Sequence, residues 1–224
     1  DFAKSMIKFM KDEYGVDPAY EAQAGEKETD FRSYLLKAKA TNPDAIVLSG
    51  LVDETVRALK QSYEVGIPKS VARVANSVAS KVEVPTNAGK AAVGVTYAAA
   101  FAASDKRPIA KKFVKKIKDK YGVVPGHDFS QMQDLLDMLR PALEKAQIKF
   151  NGDLASDRNA VRDSIAGITN FTGLASGPIG FCSAGSPECR DGNKTPVMIE
   201  YTKGGKNWKT KVAGTVTFNP SAGL

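Results

Sequence analysis

Apolar residues recur at helical spacing in three segments near the start of the chain, and short apolar runs separate these segments. Strands are predicted at 19–24, 45–48, 71–75 and 91–97, of which 45–48 is an unbroken apolar run. Asp30 and Asp53 stand where the caps of the second and third helices are expected. The predicted inward-facing residues are Phe2, Met6, Phe9 and Met10 in the first helix, Phe31, Leu35 and Ala38 in the second, and Val56, Leu59 and Tyr63 in the third.

The order of these elements predicts an α/β fold, a doubly wound parallel sheet with helices on both faces. The run at 45–48 is apolar at every position, which is typical of a strand buried on both sides. Helices alternate with strands through short connections, so each crossover is expected to be right-handed.

The pattern changes after residue 97, where three helices follow one another with almost no strand between them. They are predicted at 108–121, 131–146 and 157–166, and Pro141 is expected to kink or split the second. A strand at 179–181 and a hairpin of 197–201 with 208–212 complete the chain. The predicted buried faces are Ile109, Phe113, Ile117 and Tyr121 in the first of the three, and Met132, Leu135, Leu136, Leu139 and Leu143 in the second.

These two wide apolar stripes must pack against another surface to be buried, and the sheet predicted from residues 1–97 already has helices of its own. Either the three helices form a small bundle, or their sheet lies in sequence that is not present here. The chain also begins directly in a helix with no visible signal peptide, as the middle of a longer protein would.

Composition excludes several classes of protein. Apolar residues make up 42% and charged residues 25% of the 224 residues, values of an ordinary globular protein rather than of a disordered, collagen-like or disulfide-dense one. The longest apolar stretch without a charge, 91–104, has 14 residues and is shorter than the ~20 needed to span a membrane.

Catalytic chemistry has few candidate residues here. His127 is the single histidine, so a multi-histidine metal site is excluded, and no nucleophile elbow, P-loop or dinucleotide fingerprint occurs. We therefore predict no catalytic residue, no metal and no cofactor. Cys182 and Cys189 flank a segment rich in turn residues, which predicts a disulfide and an oxidising compartment; the alternative is two unpaired thiols.

An ordered set of short motifs resembles the type I periplasmic solute-binding proteins of ABC importers, and within them the leucine/isoleucine/valine-binding group. The resemblance covers nearly the whole chain. The motifs are Thr29-Asp30-Phe31, Asn42-Pro43-Asp44-Ala45-Ile46, Leu59-Lys60-Gln61-x-x-Glu64-x-Gly66-Ile67, Ala88-Gly89-x-Ala91-Ala92-x-Gly94-Val95, Phe113-Val114-Lys115-Lys116, Lys120-Tyr121-Gly122-x-x-Pro125 and Phe171-x-Gly173-Leu174-x-x-Gly177-x-Ile179.

This resemblance implies two doubly wound lobes joined by hinge strands. Residues 1–97 and 177–224 would form the second, C-terminal lobe, and 104–173 the helical closing part of the first lobe. The main sheet of the first lobe would then be missing, so that lobe is incomplete in this chain. The alternative is a complete protein with a helical subdomain.

Ligands of open parallel sheets bind at the carboxyl ends of the strands, which here predicts a site at Leu51, Asp53, Asn76, Ser77 and Tyr97. The resemblance implies contacts in the same places, near Leu51 and Ser77. Each residue also has a structural interpretation: Asp53 as a helix cap, Asn76 and Ser77 as turn residues, and Tyr97 as hinge packing.

The resemblance implies an acidic residue near Ser77 that holds the ammonium group of an amino-acid ligand, but Ser77 and Asn76 are neutral. A buried ammonium needs a partner, and Asp53 is the single acid nearby. The expected ligand is therefore a small organic acid with or without an amino group, an aromatic carboxylate included. The resemblance also implies hinge closure on the ligand, a membrane permease as partner and a periplasmic location.

Three other functions are open to this sequence. A cytoplasmic ligand-sensing regulator on the same fold would carry reduced cysteines. An α/β enzyme would recruit acids such as Asp44, Asp53, Glu54 or Glu64, although no base–nucleophile pair is evident. Nucleic-acid binding through the lysines at 106–120 is not expected, because they lie opposite an apolar stripe without interleaved aromatic residues, as on a solvated helix face.

Overall fold

The structure is a computed structural model that describes residues 2–25, 27–146, 148, 152–175, 178–181 and 196–215. It is a mixed α/β protein with a mostly parallel sheet, which confirms the predicted fold class. The helices are α1 (Phe2–Tyr14), α2 (Arg32–Ala40), α3 (Val52–Glu64), α4 (Glu83–Ala88), α5 (Pro108–Tyr121), α6 (His127–Ala146) and α7 (Leu154–Ala166). The strands are β1 (Ala45–Leu48), β2 (Ala72–Ala75), β3 (Val95–Ala99), β4 (Phe171–Thr172), β5 (Pro178–Ile179), β6 (Val197–Lys203) and β7 (Lys209–Thr215).

The chain divides into two compact units. The first contains Asp1–Ala98 and Ile199–Lys211, and the second contains Ala99–Met198 and Val212–Leu224. The assignment of chain segments to lobes stays a prediction.

The larger sheet has five strands in the order β1-β2-β3-β6-β7. β1 pairs with β2 and β2 with β3 in parallel, with Ala45 opposite Ala72 and Arg73 opposite Val95. β6 and β7 are neighbours joined by residues 204–208 alone, a connection that fits only an antiparallel hairpin. Because β1, β2 and β3 run in parallel, their carboxyl ends lie on the same side of the sheet.

Two of the predicted strands differ from the structure. Residues 19–24 form no strand. The strand predicted at 91–97 begins only at Val95, because a short 3₁₀ helix occupies Gly89–Ala92 and Gly94 turns the backbone with a φ of +82°. Between β2 and β3 the chain also forms α4 and a second 3₁₀ helix, Ser77–Ser80, neither of which was predicted.

β1 is not buried on both faces, so this prediction was wrong. Val47 is 44% exposed, whereas Ile46 on the opposite face packs against the buried cluster of Phe31, Leu35 and Val71. β1 is the last strand at its edge of the sheet, and the described helices cover one of its faces. An unbroken apolar run therefore does not by itself show that both faces are covered.

The face of α3 follows the prediction closely. Val56 and Leu59 are buried, while Tyr63 is half-exposed, with the Lys90 ammonium 4.7 Å from its ring centroid.

The buried Arg73 side chain of β2 donates to the carbonyl oxygens of Ile67 and Val71 at 3.0 and 3.2 Å. Burial lowers the pKa of Arg73 from its usual value, since desolvation disfavours the charged form.

α5 begins with Pro108 at its first position and ends at Gly122, whose φ of +70° is left-handed, as predicted from the sequence. Its residues Phe113 and Ile117 are buried in a cluster with Phe101 and Leu174. Ile109 and Tyr121, at the two ends of the predicted stripe, are exposed.

α6 runs without a break through Pro141, so the helix is not split there, and the other expected effect, a kink at Pro141, stays a prediction. The predicted buried face was also wrong, since the residues that α6 buries are Ser130, Asp134 and Ala142. Four of the five predicted residues, Met132, Leu135, Leu136 and Leu143, are exposed, as is Phe129, while Leu139 is half-buried.

A carboxylate and a guanidinium explain why α6 turns its polar side inward. The two carboxylate oxygens of Asp134 accept hydrogen bonds from the backbone N–H groups of Leu174 and Ala175 at 2.6 and 2.7 Å. Arg107 donates to the carbonyl oxygens of the same two residues at 2.6 and 3.2 Å. Gly173 is required beside them, because a Cβ there would lie 2.2 Å from Asp134 Oδ1. We call this arrangement the 173–175 clamp.

Candidate functional site

A cavity of about 520 Å³ opens at the carboxyl end of β1. Its walls come from the turn after β1, the first turns of α3, the segment before α2 and the 3₁₀ helix that follows β2. Leu51 and Asp53, two of the predicted ligand residues, line it. Its charged lining residues are Lys27, Glu28, Asp53, Glu54, Arg57 and Lys81.

The start of α3 fixes the side of the cavity nearest to β1. Leu51 is the N-cap residue, and its N–H donates to the carboxylate of Glu54, three residues later. Glu54, not Asp53, therefore caps the helix, and the interpretation of Asp53 as the cap was wrong. The carboxylate of Asp53 is left on the exposed lining of the cavity, beside a Leu51 side chain that is 69% exposed.

Asn76 and Ser77 follow β2 but do not line this cavity. The amide nitrogen of Asn76 donates to the carbonyl oxygen of Gly50 at 3.1 Å, which ties the ends of β1 and β2 together. Its carbonyl oxygen Oδ1 is buried without a hydrogen-bond partner in the described part of the chain. Ser77 is exposed as the first residue of its 3₁₀ helix.

Tyr97 is buried in an aromatic row and does not line the cavity either. Its ring centroid lies 5.2 Å from that of Tyr201, which in turn meets Trp208 edge to face at 6.0 Å. The Tyr201 hydroxyl donates to the carbonyl oxygen of Ala79. Burial raises the pKa of Tyr97 to about 12 and that of Tyr201 further, because the phenolate is poorly solvated there.

Two cations of the cavity, Lys27 and Arg57, were missed from the sequence. Neither has a hydrogen bond or ion pair within the described residues, whereas Glu28 accepts from the N–H groups of Thr29 and Asp30 at 3.1 Å. The position of Arg57 gave a signal that sequence reasoning missed, since it lies one helical turn after Asp53. The cavity therefore offers a ligand two cations and the carboxylate of Asp53.

The disulfide, metal sites and membrane helices are the remaining predicted features to compare with the structure. Cys182 and Cys189 lie outside the described residues, so the disulfide stays a prediction. Among the residues that are described, no group of three or more histidine, cysteine, aspartate or glutamate side chains is placed to hold a metal ion. No described helix is both long and apolar enough to cross a membrane.

A family model described as periplasmic binding protein matches residues 2–188. Among solved structures, the leucine-binding protein of Thermotoga maritima shares 25% identity, with a TM-score of 0.71 over 88% of this chain and 51% of its own.

A branched-chain amino acid binding protein of Streptococcus pneumoniae, solved with isoleucine, shares 22% identity, with a TM-score of 0.78 over 97% of this chain and 57% of its own. A solute-binding protein of R. palustris, solved with 4-hydroxybenzoate, shares 17%, with a TM-score of 0.78 over 96% and 56%. No curated protein matches. The chain thus spans about half the length of these structures.

Proposed function

This chain belongs to the periplasmic binding protein family, and on that premise we propose that it is part of the substrate-binding component of an ABC importer. The proposed ligand is a small organic acid or amino acid. The neighbouring structures are named as binding proteins, not as enzymes, and the proposal includes no catalytic step.

One observation carries the proposal: a cavity of about 520 Å³ lies at the carboxyl end of a parallel strand, where open α/β sheets bind small molecules. Leu51 offers it an exposed apolar side chain and Asp53 a carboxylate. Small-molecule sites typically combine apolar contact with a few placed polar groups in this way.

The charges of the cavity support a carboxylate-bearing ligand. Lys27 and Arg57 have no partner within the described residues, and the carboxylates of Glu28 and Glu54 are already engaged by backbone N–H groups. Asp53 is the acid available to a ligand ammonium. We propose that a carboxylate binds on the side of the two cations and that an amino group, where the ligand has one, faces Asp53.

Capture in this proposal ends with hinge closure around the ligand, and the closed form then docks on a membrane permease. The protein would act outside the cytoplasm, in the periplasm. Asn76, Ser77 and Tyr97 stay proposed ligand residues. Asn76 and Ser77 follow β2 and Tyr97 belongs to β3, and both strands end on the same side of the sheet as β1.

The ligand class can be tested by titrating the ¹⁵N-labelled chain with L-isoleucine, 4-hydroxybenzoate and 4-hydroxybenzyl alcohol, which has no carboxylate. We expect the two acids at millimolar concentration to shift the amide signals of Leu51 and Asp53, and the alcohol to leave them unchanged. Asp53→Asn is expected to weaken isoleucine binding, since the ammonium loses its partner, and to leave 4-hydroxybenzoate binding intact.

Two exposed leucines supply the matched control for the site. Leu51→Ala should weaken binding of both acids, whereas Leu36→Ala, on an exposed leucine that does not line the cavity, should not. Equal effects of the two variants, or ligand shifts confined to residues away from the cavity, would contradict the proposed site.

A further inference from the structure

Helix α5 carries most of the net charge of the protein. Its six lysines stand against the single acid Asp119, a formal charge of +5, while the whole chain has +7. The remaining sequence is therefore close to electrically balanced. The lysines are Lys111, Lys112, Lys115, Lys116, Lys118 and Lys120, which we call the lysine face.

All six lysines of this face are exposed, while Ala110, Phe113 and Ile117 on the other side of α5 are buried in the core of the second unit. At the helical rise of about 1.5 Å per residue, the face extends about 14 Å along the axis. The result is a predominantly positive patch, interrupted by Asp119, on a helix that a packed apolar stripe holds against the rest of the second unit.

Helix stability does not explain this arrangement. Lysines near the carboxyl end of a helix favour the helix dipole, which accounts for Lys118 and Lys120, but Lys111 and Lys112 lie near the amino end, where positive charge is unfavourable. Lys111 and Lys112 also stand four residues before Lys115 and Lys116, and such like-charge pairs destabilise a helix.

A single acid does little to offset this repulsion. Lys115 forms an ion pair with Asp119, and no ion pair is described for Lys111, Lys112 or Lys116. The first turn of α5 contains no acidic residue. The repulsion among these lysines is thus a cost to the helix that the described contacts offset only at Lys115.

We propose that the lysine face adsorbs the protein to an anionic phospholipid bilayer through the lipid headgroups. Lysine near such a surface is attracted as a point charge, and several lysines act together. Because Phe113 and Ile117 are already buried, and the exposed Ile109 and Tyr121 lie at opposite ends of α5, the helix has no continuous hydrophobic face to insert, so the attachment is electrostatic and reversible.

The same face fits nucleic acid less well. Base stacking needs exposed aromatic residues among the cations, and bidentate phosphate or base contacts need arginine. Every cation of the face is a lysine, and Phe113 points into the core. The one exposed aromatic residue of α5, Tyr121, lies at the end of the helix beside Lys120, so aromatic rings do not alternate with the cations.

Co-sedimentation with vesicles tests the proposal on the intact chain. We expect binding to phosphatidylcholine vesicles that contain phosphatidylglycerol, none to pure phosphatidylcholine, and loss of binding as salt rises above about 0.15 M. The variant K111E/K112E/K116E should lower the vesicle partition coefficient about a hundredfold. The control K60E/K69E/K206E changes three exposed lysines of the first unit by the same total charge and should lower it far less.

The thermal midpoint separates loss of binding from loss of folding. K111E/K112E/K116E should melt at the same temperature as the natural sequence or higher, because glutamate near the start of α5 favours the helix dipole. An equal loss of vesicle binding in both triple variants would overturn the proposal, as would equal binding to neutral vesicles. Tighter binding to duplex DNA than to the anionic vesicles would also overturn it.

Discussion

Helices α3 and α6 have similar apolar stripes in sequence but opposite orientations in the structure. α3 buries its stripe, and Leu59 has no exposed surface. α6 exposes its stripe, and Leu136 is 56% exposed, while the polar Asp134 on the other side is buried. Both helices were predicted from the same periodicity.

The difference shows what periodicity measures. It identifies a helix and the face that would gain most from burial, but not whether anything covers that face. In α3 the apolar face packs within the first unit, whereas in α6 the 173–175 clamp holds the polar face inward. The sequence allowed either a small helical bundle or a covering sheet in sequence that is not present here. Within the described residues, no bundle buries Leu135, Leu136 and Leu143 of α6.

The largest expected effect comes from a pair of leucine substitutions. Leu59→Ala in α3 should lower the free energy of unfolding by about 3 kcal/mol, because a fully buried side chain leaves a cavity. Leu136→Ala in α6 should change it by less than about 0.5 kcal/mol. Urea denaturation followed by circular dichroism measures both. A similar loss for the two variants would show that something covers the α6 stripe in solution.

A smaller effect is expected at the 173–175 clamp. Asp134→Asn should cost about 2 kcal/mol, because an amide replaces one of two carboxylate acceptors and turns a donor toward a backbone N–H. Hydrogen exchange at the amides of Leu174 and Ala175 should accelerate. Asp137→Asn, one turn further along α6 and exposed, is the matched control. Unchanged exchange in Asp134→Asn would contradict the role given to the clamp.

The parts of the fold that depend on local signals were predictable. The proline and glycine that bound α5 and the alternation of α2, β1, α3 and β2 were read from residue type and spacing alone. The 173–175 clamp was not predictable, because Asp134 and its partners Leu174 and Ala175 are about forty residues apart in sequence. No local pattern reports a contact of that separation.

The candidate site shows the same limit. The strand ends placed Leu51 and Asp53 beside a cavity, which followed from topology. Tyr97 as a packing residue and Asn76 as a turn residue were alternatives that the sequence offered. Their partners depend on contacts between strands and were not identified: Tyr201 for Tyr97, and the carbonyl oxygen of Gly50 for Asn76. Tyr201 alternates with Val197 and Ile199 as an inward residue of β6, a period-two signal that would have identified it.

The smallest expected effect extends the comparison to the sheet. Tyr97→Phe should lower the free energy of unfolding by at most about 1 kcal/mol at neutral pH, because the ring keeps its packing against Tyr201 and only the buried hydroxyl is lost. The pKa of Tyr97 is raised to about 12 in the folded protein, so the unfolded chain loses its proton first. The contribution of Tyr97 to the free energy of unfolding is therefore fully present below about pH 10 and is lost between about pH 10 and 12.

Urea midpoints across this alkaline range measure the effect. Tyr97→Phe should make the decline shallower, whereas Tyr14→Phe, on an exposed ring, should leave it unchanged. An identical decline in both variants would assign the alkaline loss of stability to other groups.

The aromatic row also has an optical consequence. Trp208 is the single tryptophan of the chain, and it stands edge-on to Tyr201, which packs against Tyr97 in the middle of β3. Light absorbed by these two tyrosines passes to the one indole ring, so the emission of the whole protein comes largely from one place. The wavelength and intensity of that emission report on the part of the sheet around Tyr97 and Tyr201, without any attached dye.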